Sequence, residues 1–83
     1  MMAAFILAQA TAPPCGPTQE IYDSLAKYHE ERIYAGLNGQ SFFETWANQS
    51  TGTWTILRTT PDGTSCIMAA GDNFLTFGRK PNT

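Results

Sequence analysis

From residue 17 to residue 36 the apolar positions recur at helical spacing. Ile21, Leu25, Tyr28 and Ile33 fall on one stripe, and Tyr22 and Ala26 widen it. Gly16-Pro17 opens the segment, with proline at the first helical position, where a missing N–H costs nothing. Glu20 and Asp23 follow near the N-terminal end, where negative charge suits the helix dipole. The pattern predicts one helix that ends near Ala35-Gly36, with Asn38-Gly39 as the turn after it.

After Gly39 the period drops to two. Residues 41–47 (SFFETWA) predict a strand with Phe42, Glu44 and Trp46 on one face and Phe43, Thr45 and Ala47 on the other. Asn48 to Gly52 form a turn, and residues 53–59 (TWTILRT) are β-branched and aromatic, a second strand. Thr60-Pro61-Asp62-Gly63 combines proline with a glycine that tolerates positive φ, so the chain turns there. Residues 64–70 (TSCIMAA) return as a third strand, and Phe74 to Phe77 are a candidate short fourth. The expected fold class is α+β, one N-terminal helix packed on a three- to four-stranded antiparallel meander.

The ends read differently. Met1 to Ala8 is an apolar run followed by Ala8-Gln9-Ala10, an A-x-A site, so residues 1–10 read as a signal-peptide remnant. No Lys or Arg precedes the run, which leaves a second reading, an N-terminal element packed on the core. The run is far shorter than the roughly 20 apolar residues that span a bilayer, so no stable membrane insertion is expected. Residues 11–16, with Pro13-Pro14, form an extended leader, residues 17–78 a single domain and residues 79–83 a flexible tail.

Composition narrows the partners. A chain that is 42% hydrophobic and 14% charged has what it needs to fold, unlike a disordered one. Its net charge is −2 and only Arg79-Lys80 are adjacent basic residues, so no basic stripe is available for nucleic acid or for anionic lipid. Partners of other chemistry remain: a protein, a small apolar ligand, or further copies of the chain in a homo-oligomer.

Cys15 and Cys66 flank the domain. A disulfide between them would close a loop of about 51 residues and contribute on the order of 4 kcal/mol in the chain-entropy model. It requires an oxidising compartment, hence a periplasmic or secreted location. The alternatives are two separate buried thiols or a redox pair, although catalytic dithiols usually sit as C-x-x-C. Two thiols and one histidine without metal-type spacing give no metal site, and no cofactor is expected.

Cys15-Gly16-Pro17, Leu25, Tyr28-x-Glu30, Gly36-Leu37, Gly52-Thr53-Trp54-Thr55-Ile56, Pro61-Asp62-Gly63, Cys66 and Gly71 occur in that order. In this the chain resembles a family of small exported alphaproteobacterial proteins without an assigned activity. The resemblance spans roughly residues 15–71 and is most specific in GTWTI followed by PDG and cysteine. It implies a fold and export from the cytoplasm, and it carries no catalytic residues.

Candidate chemistry is sparse. His29-Glu30-Glu31 is the cluster that holds the single histidine, but acid–base catalysis needs a second group facing the imidazole. A solvated helix end accounts for it; the enzymatic alternative is a small hydrolase using His29 with Glu30 or Glu44. Asn48-Gln49-Ser50 matches the N-glycosylation pattern and equally a hairpin turn. Aromatic residues populate both faces of a sheet that one helix covers on one side only, which singles out Phe42, Trp46 and Trp54 as binding residues. Trp54, sharing a face with Ile56, is expected in the core, and Trp46, beside Glu44, as the outward anchor. The function expected is a non-catalytic binding module; the alternatives are the hydrolase and a homo-oligomeric structural accessory protein.

Overall fold

The computed structural model describes residues 14–77. The signal remnant expected at 1–10, most of the leader and the tail at 79–83 lie outside the described residues. Period-two patterning from Ser41 onward produces three strands at the expected places. They are labelled here, in chain order, β3 (Ser41–Ala47), β4 (Trp54–Thr59) and β5 (Thr64–Gly71), after β1 (Cys15–Pro17), α1 (Thr18–Lys27) and β2 (Glu31–Asn38). The sheet order is β1-β5-β4-β3-β2, and every neighbouring pair is antiparallel. The class is α+β, with five strands where three or four were expected.

The two extra strands correct the reading of the chain's first half. Cys15–Pro17, read as a leader and helix start, pairs with β5, and residues 31–38, read as the end of the helix and a turn, form an edge strand on β3. The predicted fourth strand, Phe74 to Phe77, is irregular; Phe74 N–H donates to the Gly52 carbonyl at 2.8 Å.

The helix stops eight residues early for a local reason. Glu30 N–H donates to the Leu25 carbonyl at 3.2 Å and His29 N–H to the Ala26 carbonyl at 2.9 Å. That is the Schellman pattern, which closes a helix when the residue past the cap turns left-handed. Glycine usually fills that position; here His29 does, at φ 58°. The chain reverses into β2 and then through a two-residue loop to β3. Gly39, at φ 64°, takes the first loop position, where a type II′ turn places glycine.

The remaining turns use their side chains. Asn48 Oδ1 accepts from Ser50 N–H (2.9 Å) and Thr51 N–H (3.1 Å), while its Nδ2 donates to the Tyr28 carbonyl (3.0 Å). Asn48 thus ties the β3–β4 turn to the end of α1. Asp62 accepts from Thr60 Oγ1 (2.6 Å) and Thr64 N–H (3.1 Å), and the Thr60 hydrogen bond, then that of Thr64, hold its carboxyl below the usual range. Among the described residues no helix is long and apolar enough to cross a membrane.

The helix lies on one face of the sheet. Leu25 and Leu57 are buried there, together with the polar Glu44, Thr55 and Ser65. Ser65 Oγ lies 2.9 Å from Thr18 Oγ1 and 2.5 Å from Thr59 Oγ1, so a hydroxyl chain joins the helix start to β4 and β5. The buried Ser65 hydroxyl therefore has two partners, as burial demands.

Candidate functional site

Alternation along β3 puts Phe42, Glu44 and Trp46 on the helix side and Phe43 and Thr45 on the other, as the period predicted. The roles of the two tryptophans are reversed from expectation. Trp46 lies against the helix, its indole 5.0 Å from the ring of Tyr22. Trp54 pairs with Ala47 across the strands and stands on the opposite face. The reason is Glu44: a carboxylate under the helix needs donors, and Trp46 supplies one two residues along the same strand.

Glu44 is 1% exposed and fully engaged. Its Oε2 accepts from the Tyr22 hydroxyl at 2.5 Å, its Oε1 from Trp46 Nε1 at 2.6 Å, and Arg32 Nη1 stands 3.5 Å from Oε2. Burial, and then the hydrogen bond to Glu44, push the Tyr22 phenol above its ordinary pKa. Arg32 also lies 6.0 Å from the centre of the half-buried Phe42 ring. Phe42 and Trp46 thus flank one polar lock, and its signal in the sequence was Glu44 between two aromatics on a strand.

The opposite face carries Tyr34, Phe43, Thr45, Trp54, Ile56, Arg58 and the disulfide, by the register of β2 to β5. Cys15 and Cys66 face each other across β1 and β5, their Cα atoms 4.0 Å apart, and are bonded. Tyr34 is 65% exposed; Phe43, Trp54 and Ile56 are half-buried; Ala47 is buried. A shallow hollow of about 200 Å³ runs along this face by Tyr34, Gly36 and Phe43. Trp54 is pinned flat: its Nε1 donates to the Asp72 carbonyl at 3.0 Å, and a Cβ on Gly71 would come within 3.0 Å of its ring.

His29 meets neither proposed carboxylate partner through a hydrogen bond or ion pair among the described residues. It lines a polar hollow of about 350 Å³ with Glu31, Asn48 and Ser50, while Glu44 is committed under the helix. Among the described residues no three of His, Cys, Asp and Glu come together as a metal site. A larger groove of about 750 Å³ opens between the end of α1 and the ends of β4 and β5, with Glu30 in its wall. Sequence reasoning saw Glu30 only as part of the histidine cluster.

No family model, no curated protein and no solved structure matches the chain.

Proposed function

We propose that the chain is a non-catalytic binding module that works in a periplasmic or secreted compartment. Its working surface is the face of the sheet opposite the helix, with Tyr34, Phe43, Trp54 and Ile56 as the contact residues. The reading rests on one observation: a single ten-residue helix packs on one side of a five-stranded sheet, and the other side, with no helix on it among the described residues, keeps four large apolar side chains exposed or half-buried. Apolar patches of this kind serve as interaction surfaces in other proteins, and aromatic side chains dominate the energetics of such contacts. The disulfide supports the compartment, since such bonds persist where thiols oxidise. The resemblance to exported proteins points the same way. The partner is a protein or an apolar small molecule presenting a complementary surface.

The test replaces Tyr34 and Phe43 together by serine in the oxidised protein. The variant should keep its fold by circular dichroism and lose association with whatever protein or apolar ligand the wild type retains from a periplasmic extract. Association unchanged in the double variant would contradict the assignment of this face.

A further inference from the structure

Glu30 is buried in an unusual way. It occupies the second residue past the helix cap, where the Schellman motif usually places an apolar side chain against the residue that here is Leu25. Its backbone is held there by the bond to the Leu25 carbonyl, which fixes the direction in which the side chain leaves the chain. Only 6% of the residue is exposed, and Oε1 is buried with no hydrogen-bond partner. A buried carboxylate oxygen without a donor is costly. The other buried carboxylate among the described residues, Glu44, has two hydrogen-bond donors and an ion pair with Arg32.

Glu30 also lines the groove of about 750 Å³, whose walls include Leu25, Tyr28, Trp54, Ile67 and Ala70. The volume falls in the range typical of small-molecule sites, which are mostly apolar with a few placed polar groups. Lys27 stands at the same groove, but no ion pair joins it to Glu30. The missing donor is therefore not supplied within the described chain.

We propose that this groove binds a small amphiphilic organic cation, its ammonium group donating to Glu30 and its apolar body lying along Leu25, Ile67 and Ala70. A cation is selected over a neutral donor because it adds charge–charge attraction to the hydrogen bond, and that attraction is stronger beside a buried carboxylate than in water. Tyr28 and Trp54 add aromatic groups that favour a positive charge nearby. The groove shares Trp54 with the open sheet face but not Glu30, Tyr34 or Phe43, so the ligand titration here and the Tyr34/Phe43 variant above read the two proposals separately.

The experiment titrates the isotope-labelled oxidised protein with hexylammonium, and in parallel with hexanol and hexanoate, by two-dimensional NMR. Hexylammonium should bind saturably with Kd on the order of 1 mM, reasonable for a ligand of its size. Shifts should centre on Leu25, Glu30, Ile67 and Ala70. Glu30→Gln should weaken binding about tenfold or more, equivalent to about 1.4 kcal/mol. Hexanol or hexanoate binding as tightly as hexylammonium, or no saturation by about 50 mM, would overturn the proposal. These ligand arms use the wild type, so they decide the matter even if the Gln variant folds poorly.

Discussion

The two faces of the sheet solve the same problem by different means. Under the helix, aromatic and polar groups are bound to one another: Glu44 takes donors from Tyr22 and Trp46 with Arg32 beside it, and Ser65 joins Thr18 to Thr59. Opposite, Phe43, Trp54 and Ile56 are held by cross-strand neighbours and by a disulfide at one edge, with no covering layer among the described residues. The first face specifies the fold, because a buried carboxylate tolerates only the arrangement that brings its donors together. The second leaves apolar area unspent, which is what a binding surface requires. Aromatic content alone therefore does not mark a working face; the partner of each ring does.

Removing Glu44 from under the helix should have the largest effect. Glu44→Ala leaves the Tyr22, Trp46 and Arg32 donors unanswered beneath the helix and should cost about 3–5 kcal/mol, the range for breaking a buried ion pair from one side. Urea unfolding measures it; a loss below about 1 kcal/mol would mean that the helix face is not held by this cluster. Next comes the open face's own staple. Replacing Cys15 and Cys66 together by alanine should cost about 3 kcal/mol, because residual structure in the unfolded chain trims the loop-entropy figure. The helix-face contacts should nonetheless persist in stabilising co-solvent, visible as an unchanged near-ultraviolet signal from Trp46.

Two smaller effects sharpen the contrast. His29→Gly removes a side chain from a left-handed position and should raise stability by about 1 kcal/mol, with binding unaffected. A loss of function without loss of stability would instead return His29 to the catalytic candidates. The Tyr22 phenol binds its proton more tightly in the folded protein than in the unfolded chain. Its contribution is therefore complete below the unfolded pKa and declines as pH rises from there through the folded value. Tyr22→Phe should flatten that alkaline decline in the thermal midpoint; a decline as steep as that of the wild type would contradict the assignment to Tyr22.

Much of the second half of the molecule was legible in the sequence. Strict alternation at 41–47 and the β-branched run at 53–59 announced β3 and β4, and Pro61-Asp62-Gly63 announced the turn between β4 and β5. The first half misled for physical reasons. Ile33 continued the helical stripe, and Gly36 looked like its cap, whereas the helix actually closes on His29, where the usual glycine signal of a left-handed cap is missing. A register shift between Arg32 and Tyr34 then spoiled the alternation that would have revealed β2. Asn38-Gly39 was nevertheless a hairpin signal, and pairing it with strands on both sides would have found the missing one. The disulfide was readable from flanking positions, but its cross-strand placement depended on β1, three residues too short to show a period. At the site, Phe42, Glu44 and Trp46 were correctly placed on one face. Which face the helix takes depended on the donors around Glu44, a tertiary fact.

If the helix face holds the fold together and the opposite face contributes little to it, substitutions on the two faces should differ in cost. Trp46→Ala and Phe43→Ala, compared by urea unfolding under identical conditions, test it most directly. Trp46 loses its contact with Tyr22 and leaves Glu44 short of a donor, so its loss should reach about 3 kcal/mol. Phe43, half-exposed on the other side, should lose about 1 kcal/mol, the scale of strand propensity. A Trp46 loss at least twice that of Phe43 is the predicted result; equal losses, or a larger one at Phe43, would contradict the account.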